Sequence, residues 1–394
     1  MGRIYAEADL VIIAAAGSSS EFGLPGVSTR PRQVQRRVEL DVDVELVEMI
    51  DANSALVSST WATRGWTLQE GYLATRRLVF TNNEVFYVCS EGRWQESVHR
   101  PAIEDLELRR TVGYAGFPLD FSSRTCAAQM LEDYTARKLS SEDDILNACI
   151  GVLERLVDHH FWGIAAIDTG FSSSFSLEWG SKSPGQKRKG FPSWSWVATT
   201  GSKWVKLHSR NRAPSFIAEV LTTDGRWLWP ECQNESRHDS LSEGFGPTLR
   251  LTGTFYTAFL VKSRKPSDPQ GPREELGEEP EERLFVIFQH ADGKFENTEI
   301  ALEMWVDFKL SDSVTRDTVR AVIVRGIANG HWECSEPPIF VILQTVGNHY
   351  ERIGITGKRA WIREKKTGLM RKSERSIVKP HPDCNGDEET IYIA

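Results

Sequence analysis

The sequence predicts a mixed α+β protein: an α/β segment first, a helical segment next and a β-rich segment last. Three observations carry this. The continuous apolar run "LVIIAAA" (10–16) ends in a Gly/Ser-rich loop, as a strand buried on both faces of an α/β sheet does. Apolar residues recur at helical spacing between 141 and 160. From about residue 210 onward, short apolar runs alternate with turn signals. The expected division is therefore 1–105, 106–205 and 206–394.

Composition sets the frame. With 394 residues, 40% hydrophobic and 26% charged, the chain has the make-up of a folded protein with sizeable cores. The net charge is −8 with both signs interleaved, which argues against a nucleic-acid-binding face. Six dispersed cysteines (89, 126, 149, 232, 334, 384) form no Cys-x-x-Cys pair and no zinc-ligand spacing. They read as reduced thiols of a cytoplasmic protein. The run 10–16 is no signal peptide, because Glu7 and Asp9 stand where positive charge belongs, and seven residues cannot span a bilayer. No membrane partner is expected.

Taken in order, "RIYAEAD" suits a helix, and "GSSSEFGLPGV" is a loop whose glycines fit neither nucleotide-binding fingerprint. "VELDVDVEL" alternates strictly and predicts one half-buried strand with a solvated acidic face. Two apolar runs around Thr81-Asn82-Asn83 predict a β-hairpin whose asparagines take the left-handed turn conformation. "SEDDILNACIGVLERLVDHH" predicts a helix capped by Ser141 and Asp144 and ended by Asp158-His159-His160. "SKSPGQKRKG" is a solvated basic loop. "FPSWSWVA" predicts a short strand with Trp194 and Trp196 on one face. Strands are then expected at 248–261, 283–291, 318–327, 339–347 and 349–356. The stretch 265–283 reads as a polar loop, and the charged tail from Glu364 is expected to fray.

One block concentrates unusual chemistry: "STWATRGWTLQEGYLATRRLVF" (59–80). Thr67 and Glu70 have capping-box spacing, Gly65 permits an unusual backbone angle, and Arg64 can stack between Trp61 and Trp66. A structural role accounts for each residue. A catalytic reading makes Glu70 an acid, a base or a ribose-binding carboxylate, with Arg64 holding an anion. No metal site is expected. No Gly-x-Ser-x-Gly elbow or His-Glu-x-x-His helix occurs, and a Cys89–His99 pair has nothing local to activate its thiol.

The same block closely resembles a motif of the fungal HET (heterokaryon incompatibility) domain, W-x-x-R-x-W-T-x-Q-E. Trp61, Arg64, Trp66, Thr67, Gln69 and Glu70 all fall on it. "MGRIYAEADLVIIAAAG" and "GLPGV" resemble an earlier block and its loop. "DYTARKLSSEDDILNACIGVLERL", "FPSWSWVATTG" and "HYERIGI" resemble the region that commonly follows. The family's upstream strands and its W-I-D-x-x-C-I-D-Q-type block have no counterpart here. The expectation is an incomplete TIR-like α/β domain, N-terminally truncated, with an open edge on "LVIIAAA". The resemblance implies a role in fungal non-self recognition, with a protein partner or allelic incompatibility factor and cell death as the output. It leaves two alternatives: a TIR-like enzyme that cleaves NAD with Glu70, and a non-functional relic.

Overall fold

The computed structural model describes residues 2–27, 29–42, 44–48, 52–90, 92–96, 124–157, 159–168, 173–175, 177–206, 216–228, 244–264, 282–288, 298–310, 318–325, 339–364, 370–372 and 387–394. The chain divides into two units, Met1–Leu156 and Val157–Ala394. Cys232, Cys334, Cys384, His99, Asp158 and the loop 265–281 lie outside the described residues, so the readings placed on them do too.

In the first unit, α1 (Gly2–Glu7) leads into β1 (Val11–Ala14). A hairpin of β2 (Arg37–Asp41) and β3 (Val44–Val47), the helices α2 (Ala52–Val57) and α3 (Thr67–Leu73), and the strands β4 (Arg76–Phe80), β5 (Val85–Cys89) and β6 (Gly92–Gln95) follow. The helices α4 (Arg124–Thr135) and α5 (Ile150–Leu156) complete it. The sheet runs β1-β4-β5-β6, with β1 parallel to β4 and the other pairs antiparallel. Parallel pairing needs a crossover, and residues 15–75 supply it. Ile13, Val79, Phe86 and Leu68 are buried.

Several sequence expectations change here. The strand β1 is buried on one face only: Ile13 is enclosed while Ile12 is 55% exposed. Among the described residues it pairs with β4 alone, at the edge of the sheet. "VELDVDVEL" is a hairpin, not one strand, because the chain reverses between Asp41 and Val44. Its valines and leucines are exposed, so its alternation sets up two faces of a hairpin without burying either. The β4–β5 hairpin forms as expected, but neither Asn82 nor Asn83 takes a positive φ. The Thr81 hydroxyl closes this turn instead, donating to the Glu84 carbonyl and accepting from the Glu84 amide. The helix predicted over 141–160 breaks into a 3-10 turn at Glu142–Ile145, the helix α5, and then a strand. Ser141 makes no side-chain cap bond.

The second unit is almost all β. The short strands β7 (His159–Phe161), β8 (Ile164–Asp168) and β9 (Ser173–Phe175) form one antiparallel sheet. A second consists of β10 (Trp179–Ser181) and β11 (Lys203–Val205). The remaining strands are β12 (Phe216–Thr222), β13 (Trp227–Leu228), β14 (Phe245–Arg264), β15 (Glu282–Phe288), β16 (Thr298–Val306), β17 (Thr318–Arg325), β18 (Ile339–Val346), β19 (His349–Glu364), β20 (Met370–Lys372) and β21 (Asp387–Ile393).

Six of these close into an antiparallel barrel. Its pairings run β14-β15-β16-β19-β18-β17 and return to β14. Closure removes open edges within the ring. One buried apolar cluster draws on all six strands: Leu260, Val286, Leu302, Ala321, Ile342 and Ile353 are examples. The long strand β14 does double duty. Its first half pairs with β12 on one side and β21 on the other; its second half belongs to the barrel. The tail expected to fray therefore contains β21, which pairs with β14 from Leu249↔Ile393 to Phe255↔Asp387 and buries Ile391 and Ile393.

Candidate functional site

The Trp61–Glu70 block folds as a 3-10 turn, Trp61–Thr63, running into α3. Gly65 is needed here for close approach. Its amide donates to the Lys138 carbonyl at 2.7 Å, and a Cβ would lie 2.3 Å from the Leu139 side chain. It is not among the glycines with positive φ, which corrects the expectation of an unusual backbone angle.

The capping box does not form. Trp66 occupies the cap position, and no side chain caps it. The Thr67 hydroxyl instead sits 2.6 Å from the Trp61 carbonyl and 2.7 Å from the Arg64 carbonyl, both acceptors, and accepts from Arg137 at 3.1 Å. Glu70 points to the turn: Trp61 Nε1 donates to Oε2 at 2.9 Å and the Tyr5 hydroxyl to Oε1 at 3.3 Å. Burial, and then the Glu70 carboxylate beside it, push the Tyr5 hydroxyl above its ordinary pKa.

Arg64 does not stack between the tryptophans. Its side chain is exposed and has no partner among the described residues. Its carbonyl accepts from Arg137 at 3.2 Å, and it is Arg137 whose guanidinium lies over the Trp61 ring, 5.9 Å from the centroid. Burial lowers the Arg137 pKa against the pull of nearby Tyr72 and Asp133. Arg137 is the residue that sequence reasoning missed, and no local spacing signals it.

Trp66 and Gln69 reach the segment before α5. Trp66 Nε1 donates to Asp144 Oδ2 at 3.3 Å, and Gln69 Nε2 to the Asn147 carbonyl at 2.9 Å. Gln69 is 1% exposed, and its Oε1 lies against Gly2 and Gly151, where a Cβ on Gly151 would come within 2.7 Å of it. Arg77 closes the other end of α3: its Nε donates to the Gly71 carbonyl at 2.5 Å, as a cation at a helix C-terminus does. Burial brings its pKa down to about 10. The block thus ties α1, α3, the segment just after α4 and the segment before α5 together. Within it, both oxygens of Glu70 are occupied by fixed donors, and Arg64 and Glu70 do not pair.

The second singled-out block, Pro192-Ser193-Trp194-Ser195-Trp196, lies in the other unit. It is a turn followed by a 3-10 helix, Trp196–Ala198, and not a strand. Both tryptophans are buried, and their indoles donate to the carbonyls of Pro247 at 2.8 Å and Gly163 at 2.8 Å. Ser195 accepts from the Val197 amide and donates to the Trp162 carbonyl at 2.5 Å. Trp162 and Gly163 are the two-residue turn between β7 and β8, with φ of 49° and 82°. Such a turn demands positive φ at both positions. The serine and tryptophan of the block hold its two carbonyls, which is how a tryptophan is kept in that conformation. Ser193 donates to the Ala394 carbonyl at 2.5 Å, anchoring the end of β21.

Beside this block lies a buried ion pair. Arg352 donates to Asp307 at 2.9 Å, to the Leu177 carbonyl at 2.8 Å and to the Trp179 carbonyl, and its guanidinium lies 3.6 Å from the centroid of the Trp179 ring. Burial pushes the Asp307 carboxyl up, and Arg352 works against that. The basic loop is held as well: Arg188 donates to the carbonyls of Val197 and Thr199, and Lys187 to Glu351. Cys149 is fully buried and its thiol pKa is pushed up, so it is no nucleophile. Among the described residues no group of three or more His, Cys, Asp or Glu could hold a metal ion. No described helix is long and apolar enough to cross a membrane.

The first unit is a mixed α/β module organised around the Trp-Thr-x-Gln-Glu turn and helix. Residues 1–70 match the family model described as Heterokaryon incompatibility protein (HET), so the resemblance read from the motif is shown over that segment. All six residues of the W-x-x-R-x-W-T-x-Q-E pattern fall within the match; Trp194 and Trp196 fall outside it. No curated protein and no solved structure matches the chain.

Proposed function

We propose that this chain is a HET-domain protein of fungal non-self recognition, acting in the cytoplasm and signalling incompatibility and cell death through protein contacts. The observation that carries the reading is the use made of the motif within the HET match. Trp61, Trp66, Thr67 and Glu70 spend their side-chain polar atoms, and Gln69 its Nε2, on one another and on neighbouring elements. A motif of this kind builds a scaffold, and a scaffold acts through its surface. The TIR-like arrangement of the complete domain belongs to this proposal as well, since fold-level analogy alone supports it. Overexpressing the full-length gene in a compatible fungal host tests the reading. Growth arrest and death are expected, and healthy growth counts against it.

A second reading is NAD cleavage with Glu70 as the working carboxylate. What favours it is that Glu70 is only partly buried, between the Tyr5 hydroxyl and the Trp61 indole, with Arg137 in the same cluster. Glu70→Gln separates the two. The amide keeps an oxygen acceptor and loses the charge. Toxicity that persists in a folded Gln variant removes Glu70 from the chemistry; loss of NAD turnover with the fold intact assigns it.

A further inference from the structure

We propose that the second unit binds a small anion bearing an aromatic ring, of mononucleotide size, in a cleft beside the barrel. The cleft encloses about 510 Å³, inside the ~300–1,000 Å³ range of small-molecule sites. Its wall comes from the end of β10 and the following turn (Ser181–Pro184), from β14 and β15 (Lys262, Arg283), from β16, and from Lys309 and Leu310.

Two features set the ligand class. The first is charge. Among the described residues, Lys182, Lys262, Arg283 and Lys309 line the cleft with one carboxylate, Glu303, which is ion-paired with Arg283. The described lining therefore carries more cations than carboxylates, on a chain whose net charge is −8. Among the described residues Lys309 has no hydrogen-bond or ion-pair partner, and it is exposed. Cations gathered on low-dielectric walls focus the field on an incoming anion. The second feature is the apolar lining. Leu284, Met304, Val306 and Leu310, which belong to or pack against the barrel's apolar cluster, also line the cleft, as does Trp305, 39% exposed. Trp305 is braced edge-on by Trp204, with ring centroids 5.1 Å apart at 73°. A fixed, partly exposed indole beside cations offers stacking to a planar ring and charge to its phosphate. A free inorganic ion leaves the apolar lining and the indole unused.

Isothermal titration of the full chain at low salt tests this, with ATP as the probe and adenosine and tripolyphosphate as its two halves. ATP is expected to bind, more tightly than either half, and to weaken as salt rises. Lys309→Glu, at an exposed side chain without a partner among the described residues, is expected to weaken ATP by about tenfold while thermal unfolding stays unchanged. Trp305→Leu is expected to weaken ATP and leave tripolyphosphate unaffected. No ATP binding at millimolar ligand overturns the proposal. So does equal affinity for ATP in the Lys309→Glu chain, or tripolyphosphate binding as tightly as ATP.

Discussion

At the scale of single residues, two positions in the second unit give sharp expectations. Arg352 is fully buried and holds Asp307 and two backbone carbonyls. Removing one partner of such a pair leaves a buried charge uncompensated. Arg352→Met is expected to destabilise the unit by ~3–5 kcal/mol, read by urea unfolding. Lys203 is also fully buried, its ammonium donating to the carbonyls of Thr200 and Gly201, and burial brings its pKa down to about 8 from 10.5. The sign follows from proton counts. Between pH 8 and 10.5 the unfolded chain holds this proton and the folded chain has lost it, so this residue's contribution to stability rises with pH there. Below pH 8 its destabilising effect is fully present. Comparing unfolding at pH 8 and pH 10 checks it: the native chain should gain more, or lose less, than Lys203→Met. The identity of the Trp61–Glu70 block was legible in the sequence because its spacing is local. Its working contacts were not, because Tyr5, Arg137, Asp144 and Asn147 reach it across 65 to 78 positions.

At the scale of elements, local pattern served where a turn joins neighbours and failed where a distant partner decides. The β4–β5 hairpin and the strands within β14, β15, β17, β18 and β19 were read correctly from apolar runs. The 141–160 helix was over-extended, because helical spacing of Ile145, Cys149, Val152 and Leu156 is kept by a 3-10 turn followed by a short helix. Pro192–Ala198 alternates like a strand yet folds as a turn, since its indoles and the Ser195 hydroxyl find carbonyls in β14 and in the β7–β8 turn. The strand β21 was missed because it follows a polar stretch; its pairing with β14, 138 positions away at Thr252–Thr390, and with β19 at Tyr350↔Ile393 makes it a strand. Its buried Ile393 tests that role. Ile393→Ala is expected to cost ~2–5 kcal/mol, measured as a lowered midpoint of chemical unfolding. A fraying tail would show no loss at all.

For the molecule as a whole, the β content of the second unit was visible in the sequence and its closure was not. Alternation reports which residues face inward but carries no information about which strand lies next to which. Ring closure depends on pairings such as β14 with β17 and β16 with β19, each separated by tens of residues. Such non-local pairing must be reached before it is rewarded, which slows folding. The second unit is therefore expected to refold in milliseconds to seconds or slower, even from a well-solvated unfolded state, and stopped-flow tryptophan fluorescence will report it. Microsecond refolding would be incompatible with the closed ring.

The double membership of β14 has a further consequence. Its backbone amides face β12 and β21 along one half, and β15 and β17 along the other. No single neighbouring strand can peel away and expose the whole of it to solvent. In deuterated water these amides should be among the last in the unit to exchange, at rates set by complete opening and not by local fluctuation. The strand is thus a built-in gauge: its exchange rate reads the stability of the barrel and of its β12–β21 extension at once.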